Sequence, residues 1–291
     1  MVPFLHLWRL TIPTFGLMVA TAMIAAYFVL RADLVRRGLA AKDSGFAEAL
    51  IAVPCLAGIA GAKLYHALED PALLFSHPAE LISQYGFAWF GGLIAGAAAF
   101  VWVGRRRRLS LLQVLDAGSA AAALGYGIGR IGCLLSGDGD YGVPTSLPWG
   151  MSFPQGLVPT TQRVHPTPIY EFIVACLIAW LLWKLGSKQI PSRVRPPKPA
   201  ANQASRGLIL PDGSVFAVYL VLTGVARFLV EFIRINPPSF FGLTNAQAAS
   251  LASIIAGAIL WAVLSNRRKN RDLLNTDSVQ VGTRRHPSRQ H

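Results

Sequence analysis

A series of apolar runs constrains this chain more than any other feature. Each run approaches the ~20 residues that a helix needs to cross ~30 Å of hydrocarbon. Only 14% of the residues are charged, whereas a soluble domain usually carries about 25%. The sequence therefore predicts an all-α integral membrane protein with seven transmembrane helices. The predicted spans are residues 11–30, 46–66, 87–103, 112–133, 169–185, 214–233 and 247–264.

The basic residues predict how these spans are oriented. The formal net charge is +13, and 21 of the 27 Lys and Arg residues lie in four regions, 31–45, 105–108, 184–206 and 267–289. These regions fall on one side of the membrane if seven spans alternate, and an excess of Lys and Arg marks cytoplasmic loops. We therefore expect an outside amino terminus and a cytoplasmic carboxyl terminus. The charge indicates topology and attraction to anionic lipid, so we expect no nucleic-acid partner.

The polar segments indicate how the chain is divided. Residues 1–266 are predicted to form one transmembrane domain that contains a basic, proline-rich cytoplasmic linker at 191–206. Residues 267–291 are predicted to be a basic, disordered cytoplasmic tail. The strongest positive charge follows the first apolar run, which favours a spanning helix over a cleaved signal peptide. Cys55, Cys133 and Cys176 lie in or beside apolar runs without CxxC spacing, which favours unpaired thiols.

Two short motif matches fail their structural context. The string GIGRIG at 127–132 matches a dinucleotide-binding pattern, but it follows a membrane run instead of a strand. Small residues that allow close helix packing explain it better. The string DGDYG resembles a calcium loop, yet Val143 takes the position of the required glycine and Trp149 that of the bidentate glutamate. We expect no cofactor and no bound metal.

Charged residues within or beside the apolar runs predict a functional site. A charge at the bilayer centre costs at least ~2.5–3.5 kcal/mol, so such residues tend to pair, line a wet cavity or serve function. A structural alternative exists for each group, namely an arginine that reaches the interface, an interfacial anchor, or an ion pair four residues apart on one helix face. Arg234 is predicted to be an interfacial anchor. The groups are Arg130 with Asp138 and Asp140, His165 with Tyr170 and Glu171, and Arg227 with Glu231.

These three groups share one side of the membrane under the predicted topology. They combine two guanidiniums with several carboxyl groups and one histidine. Arginine is suited to bidentate recognition of phosphate. The sequence therefore predicts a polar site at the outer leaflet that binds a phospholipid.

Several segments that contain these residues occur in the order found in one family. They are TIPTFGLM, GIAGAKLYH, FGGLIAG at 90–96, GRIGCLLSGDGDYG at 129–142, HPTPIYE, RFLVEFIR and GLTNAQAASL. The chain resembles the bacterial prolipoprotein diacylglyceryl transferases nearly from end to end. That resemblance implies a multi-pass protein of the bacterial plasma membrane with its active site toward the outer leaflet. It also implies transfer of the diacylglyceryl group from phosphatidylglycerol to the lipobox cysteine of a prolipoprotein signal peptide, with formation of a thioether and release of glycerol phosphate.

The resemblance also implies roles for individual residues. The implied catalytic residues are Arg130, Asp138, Arg227, Glu231 and His165. The residues implied to bind phosphatidylglycerol are Arg130, Arg227, Ser136, Tyr170, Glu171, Gly91 and Gly92.

The chain departs from the family pattern at several of these positions. The departures are Phe90 for a histidine often assigned as a base, Cys133 and Ser136 for asparagines, Asp138 for a glutamate, Phe15 for a tyrosine and Pro168 for a glutamine. Either His165 or Asp138 then acts as the base, or no base is needed. We interpret Cys133 as a small buried residue in preference to a nucleophile. Two alternatives remain open, a paralogue that uses another acceptor and a non-catalytic protein that binds or transports lipid.

Overall fold

Long α-helices make up most of the structure, a computed structural model that describes residues 2–8, 10–40, 45–69, 88–189, 210–239 and 242–284. The described residues contain seven α-helices. They are α1 Thr14–Arg36, α2 Phe46–Glu69, α3 Trp89–Arg106, α4 Leu111–Ser136, α5 Thr167–Gly186, α6 Ser214–Val230 and α7 Asn245–Arg284. Six helices of the described chain are long and apolar enough to cross a membrane. The exception is α3, whose 18 residues end in Arg105 and Arg106. An all-α integral membrane protein is therefore confirmed.

Two short antiparallel hairpins accompany the helices, and the sequence analysis predicted neither. They pair β1 Phe4–Leu7 with β2 Leu10–Pro13 and β3 Met151–Phe153 with β4 Thr160–Val164. Because Thr11 belongs to the first hairpin, the first helix begins at Thr14 instead of Thr11. Pro13 is extended, with φ −67° and ψ 126°, and the Thr14 amide and hydroxyl donate to the Pro3 carbonyl at 2.9 and 3.0 Å. These bonds fasten the hairpin to the start of α1.

The end of α7 differs most from its prediction. The sequence predicted a span over 247–264 and a tail from 267, whereas the helix continues to Arg284. Its membrane-crossing part ends at Asn270. The residues that follow include Arg, Leu and Gln, which favour helix, so a polar composition ends the span without ending the helix. The predicted linker at 191–206 and residues 285–291 lie outside the described residues, and the division into domain and tail stays a prediction.

Glycine permits a very close approach between α2 and α3. A Cβ atom added to Gly61 would lie 2.5 Å from the Gly91 carbonyl oxygen, and one added to Gly91 would lie 2.3 Å from the Gly61 carbonyl oxygen. Neither position can carry a side chain without moving the helices apart. The pair is thus a small-residue interface of the kind that membrane helices use to pack.

The fourth helix, α4, packs against helices on both of its sides. A capping box of Ser110 and Gln113 begins it, and Gly137 in the left-handed conformation ends it, at φ 59°. Buried alanines on one face contact a core shared with α1, α2 and α3, while those on another contact α5 and α6. Small side chains therefore let α4 lie in the middle of the bundle.

A buried carboxylate fixes the start of α6 against α4. Asp116 Oδ2 accepts from the Gly213 amide at 2.6 Å and from Gln189 Nε2 at 2.7 Å. Its Oδ1 accepts from the Phe216 amide at 2.7 Å. These amides belong to the first turn of α6, whose donors have no partner within the helix. Arg37 donates to the same Gln189, which connects the end of α1 to this network.

We expect Asp116→Ala to destabilise the helix bundle. Asp116 lies near the start of α4, so the substitution leaves the contacts at the end of α4 unchanged. The substitution leaves two buried α6 amides without an acceptor, and each such group costs ~1–3 kcal/mol. Thermal unfolding of the purified protein in detergent should show a lower midpoint. Asp116→Asn, which keeps one carbonyl oxygen, should lose less, and equal midpoints for all three proteins would contradict the capping role.

Candidate functional site

Six charged side chains that are distant in sequence meet where α4 and α6 end and α5 begins. Three are arginines and three are carboxylates, and most are buried or nearly so. They come from α4, α5, the end of α6, the 3-10 turn Glu231–Ile233 with the residue after it, and the segment between α4 and α5. We call this set the ion cluster; it consists of Arg130, Asp140, Glu171, Arg227, Glu231 and Arg234.

Glu171 lies at the centre of the ion cluster. Its Oε2 is 2.7 Å from Arg130 Nη2 and 3.4 Å from Arg234 Nη1, and its Oε1 is 3.6 Å from Arg227 Nη1. The Tyr126 hydroxyl donates to Oε1 at 2.5 Å. Only 5% of the Glu171 side chain is exposed. One buried carboxylate therefore contacts all three guanidiniums, and pairing of this kind offsets the cost of burying charge.

Asp140 joins two of these arginines from the segment after α4. Arg130 Nη1 lies 2.5 Å from Asp140 Oδ2, and Arg234 Nη2 pairs with the other carboxylate oxygen. The Thr167 hydroxyl donates to the Asp140 carbonyl at 2.5 Å. Burial opposes ionisation, but Arg130 and Arg234 outweigh it, so the pKa of Asp140 lies below its ordinary value. Asp140 is therefore held as an anion.

Glu231 holds the third carboxylate in a fully buried position. Its Oε2 is 2.9 Å from Arg227 Nη2, the pair that the four-residue spacing predicted. Its Oε1 accepts from Asn236 Nδ2 at 2.7 Å and from the Thr244 hydroxyl at 2.8 Å. Both partners lie between α6 and α7, so Glu231 orients Arg227 and also ties the two helices together.

The ion cluster balances three positive charges against three negative ones but leaves donors over. Buried nitrogen atoms without a hydrogen bond include Arg130 Nε, Arg227 Nη1 and Arg234 Nε. Buried donors of this kind usually find a partner, and those without one indicate a missing ion, water or ligand. One carboxylate oxygen, Glu231 Oε2, also lacks a hydrogen bond, but the guanidinium nitrogens outnumber it, so the arrangement favours an anion.

A cavity of about 760 Å³ opens beside the ion cluster, between α5, α6 and α7. Its polar end is lined by Tyr126, Tyr170, Glu171 and Arg227, while most of the other lining residues are apolar. The hydroxyls of Thr223 and Ser250, which also line it, donate to backbone carbonyls of their own helices. The cavity thus combines apolar walls with one charged end, which suits an amphiphile that has an anionic head.

A second group of ionisable atoms adjoins Arg130 on its other side. The Cys133 sulfur and one carboxylate oxygen each from Asp138 and Asp140 all lie within 4.8 Å of one another. Thiolate and carboxylates could bind a divalent cation. However, Arg130 Nη1 lies 3.5 Å from the sulfur, and Asp140 is already paired with Arg130 and Arg234. A cation would face fixed positive charge, so this arrangement disfavours one.

The predicted histidine group is only partly connected to the ion cluster. The His165 ring is hydrogen-bonded through Nδ1 to the Tyr170 hydroxyl at 3.3 Å, and Trp149 Nε1 donates to that hydroxyl at 2.8 Å. Tyr170 and Glu171 both line the cavity. The structure therefore brings Glu171 into the cluster, Tyr170 beside it, and His165 behind Tyr170.

Three other predicted residues have structural contacts in the described chain. The buried Ser136 hydroxyl donates to the Gly132 and Cys133 carbonyls at the end of α4. Gly91 and Gly92 lie at the interface of α3 with α2. Their contacts are with protein backbone and side chains, and their binding of a lipid stays a prediction.

Sequence reasoning missed part of the ion cluster. The prediction that Arg234 is an interfacial anchor is wrong, because its side chain is only 7% exposed and pairs with Asp140 and Glu171. The sequence grouped Asp140 with Arg130 but predicted no catalytic or binding role for it, and it predicted no role for Tyr126. The spacing of Arg227, Glu231 and Arg234 on one helix face could have indicated a third member. No sequence signal indicated that Tyr126 would contact Glu171, since 45 residues separate them.

The prediction that the three cysteines are unpaired is confirmed. Cys55, Cys133 and Cys176 are all free thiols, and Cys133 is buried.

Comparison with known proteins identifies the family of the chain. A family model described as prolipoprotein diacylglyceryl transferase matches residues 3–263. The phosphatidylglycerol–prolipoprotein diacylglyceryl transferase of Clostridium tetani is 31% identical over 263 residues, covering 89% of this chain and 95% of the relative. Proteins of the same name from Geobacter sulfurreducens and Bordetella avium are 30% and 32% identical, over 91% and 92% of this chain and 95% of each relative. The chain therefore belongs to the prolipoprotein diacylglyceryl transferase family.

Proposed function

We propose that this protein transfers the diacylglyceryl group of phosphatidylglycerol to the thiol of a lipobox cysteine in a prolipoprotein. The observation that carries the proposal is Arg227, which extends an incompletely bonded guanidinium into the charged end of an apolar cavity. The names of the relatives supply the substrates. A lipobox acceptor and a site open to the outer leaflet of the bacterial plasma membrane complete the proposal.

The cavity matches the chemistry of the donor. Phosphatidylglycerol carries two apolar chains and one phosphodiester anion, and the cavity offers apolar walls with Arg227 at one end. Arginine binds phosphate oxygens through two parallel N–H donors. Arg227 Nη2 is already paired with Glu231, whereas its Nη1 lies 3.6 Å from Glu171 Oε1 and has no hydrogen bond, so Nη1 is the donor available to phosphate.

The reaction is a displacement at carbon. The acceptor sulfur forms a bond to the glyceryl carbon that carries the phosphate, while the bond from that carbon to the phosphate oxygen breaks. The electron pair leaves on the oxygen, so glycerol phosphate departs with one more negative charge than the phosphodiester had. Guanidiniums fixed in a site that excludes water stabilise such developing charge best. Arg227 and Arg130, joined through Glu171, have this role.

The direct test is an assay of purified protein with phosphatidylglycerol vesicles and a lipobox peptide. Glycerol phosphate and diacylglyceryl peptide should appear in equal amounts. Glycerol phosphate without modified peptide would indicate another acceptor, an outcome that the substitutions at Phe90 and Cys133 make worth testing. Lipid binding without either product would indicate a non-catalytic protein.

The basic residues support the orientation proposed from the sequence, including a membrane-crossing α3. Arg105 and Arg106 at the end of α3 and Lys188 after α5 would lie in the cytoplasm, with the ion cluster at the outer face.

We expect reporter fusions to place these segments on opposite sides. Alkaline phosphatase fused after residue 108 or 189 should be inactive, and green fluorescent protein at the same positions should fluoresce. Alkaline phosphatase inserted after Trp149 should be active. Active phosphatase after residue 108 would contradict a spanning α3.

We expect Arg227→Ala to lower kcat/KM ~100-fold or more, because loss of one preorganised charge donor has that effect in enzymes. Arg227→Lys should retain part of the activity, since a point charge remains but bidentate geometry is lost. Arg105→Ala removes an exposed arginine at the far end of α3 and is the matched control. Normal turnover by folded Arg227→Ala protein would exclude the phosphate-binding role.

We expect Phe90→His to leave activity unchanged or higher. Phe90 is 63% exposed near the start of α3, so a smaller imidazole fits without repacking. Exposed substitutions usually change stability by only ~0.5 kcal/mol. Steady-state rates of Phe90→His and Phe90→Ala should be compared with the wild-type rate. A large loss in both variants would mean that the phenyl ring itself contacts a substrate.

A further inference from the structure

One carboxylate beside the ion cluster differs from the other three. Asp140, Glu171 and Glu231 each pair with at least two arginines. Asp138 forms no ion pair within the described residues. Its Oδ1 accepts from the Asp140 amide at 3.2 Å, and the Cys133 thiol is its other close polar partner. Of the four carboxylates in and beside the ion cluster, Asp138 is therefore the one whose charge no arginine of the described residues neutralises by direct contact.

The backbone holds Asp138 in a fixed place next to the site. Gly137 has φ 59°, and a Cβ atom there would lie 2.6 Å from the Gly156 Cα, so the turn requires glycine. The Val158 amide donates to the Gly137 carbonyl at 2.8 Å. Gly139 has φ 92° and packs against the Val158 side chain. A constrained turn thus presents the half-buried Asp138 side chain beside Cys133.

Continuous contacts connect Asp138 to the donor end of the cavity. Asp138 adjoins Cys133, whose sulfur is 3.5 Å from Arg130 Nη1. Arg130 in turn pairs with Glu171, which lines the cavity together with Arg227. A sulfur that attacks a glyceryl carbon next to a phosphate bound there must approach from outside the apolar walls. Asp138 does not line the cavity, and it adjoins Arg130 through the Cys133 sulfur.

We infer that Asp138 is the general base that removes the proton from the acceptor thiol. This assignment rests on the proposed function. It names the group that removes the thiol proton, because Phe90, which replaces the family's histidine, has no basic atom.

The environment of Asp138 supports this role. Burial raises the pKa of Asp138 above its ordinary value, and nearby Asp140 acts in the same direction, while contacts with Cys133 and Arg130 oppose them. The pKa of neighbouring Asp140 moves the other way. Two adjacent carboxyls with pKa values pushed apart are typical of a site where one has an electrostatic role and the other transfers a proton. A carboxylate with a raised pKa is also the stronger base.

The proton balance of the step is complete. The thiol proton moves to an Asp138 carboxylate oxygen as the sulfur bonds to the glyceryl carbon. Asp138 then passes this proton to the leaving glycerol phosphate, a phosphomonoester whose second pKa is ~6, or to water. Asp138 is then ionised again for the next turnover. No oxidant, reductant or metal takes part.

His165 is the rival base. Its ring is hydrogen-bonded to Tyr170, whose hydroxyl also accepts from Trp149. Tyr170 of that network lines the cavity, whereas Cys133 and Asp138 do not line it and adjoin Arg130 through the Cys133 sulfur. The geometry therefore favours Asp138 for the acceptor and gives His165 the role of orienting Tyr170.

The experiment compares a lipobox peptide with its selenocysteine analogue. A selenol is ionised at neutral pH and needs no base, whereas a free thiol has a pKa of ~8.5. Asp138→Asn should lower kcat/KM for the thiol peptide ~100- to 10,000-fold at pH 7. Most of this loss should disappear with the selenol peptide. The thiol rate of the variant should also continue to rise with pH through ~8.5, where the wild-type rate has levelled off.

Matched variants separate a base from a structural residue. Asp138→Glu and Asp138→Gln form a second pair with equal side-chain size, and only the glutamate should support the thiol peptide. Asp212→Asn removes an exposed carboxylate at the opposite end of the bundle and should match wild type. Binding of phosphatidylglycerol vesicles should be equal in Asp138→Asn and wild type.

Three outcomes would overturn the assignment. An equal loss for Asp138→Asn with both peptides would mean a structural role, and selenol rescue in His165→Gln instead would identify the histidine as the base. In both cases the wild-type protein still makes product, so the proposed function stands. A wild-type protein that forms no product with either peptide would refute the proposed function together with its base.

Discussion

The contact of one buried carboxylate with three arginines is the interaction on which the rest of this site depends. Glu171 lies within 3.6 Å of guanidinium nitrogens from Arg130, Arg227 and Arg234. Without it, three positive charges would converge in a region that excludes water, where like charges repel strongly. With it, the arginines can be held close together and still keep N–H groups free. A site for a phosphate needs this combination of concentrated charge and unused donors.

The ion cluster also joins several structural elements at its end of the bundle. Asp140 fastens the segment after α4 to Arg234, and Glu231 fastens the end of α6 to Thr244 before α7. At the other end of α4, Asp116 caps α6 through its backbone amides. Polar contacts thus fix α4 and α6 at both ends, while apolar contacts and small residues pack the middle parts of the two helices together. The cavity lies beside α4 and α6, so these contacts fix its charged end relative to its apolar walls.

The two sides of Arg130 have different chemistry. On one side, Glu171 and the cavity provide charge and apolar space for a lipid. On the other side, Cys133 and Asp138 form a small, weakly charged group in a constrained turn. Under the proposed function, this division would separate the group that stabilises the leaving phosphate from the group that activates the thiol. It also suits a reaction in which nucleophile and leaving group lie on opposite sides of one carbon.

The sequence by itself determined the membrane class, because apolar runs of spanning length cannot fold otherwise, and it identified most of the charged residues, because charges are costly in such runs. It also determined the pairing of Arg227 with Glu231, since helix geometry alone brings residues four apart together. Only the tertiary structure decided that Arg234 is a buried member of the cluster and that Tyr126 contacts Glu171. Local periodicity cannot supply contacts of this kind, because they depend on how separate helices cross and on which charges their ends bring together.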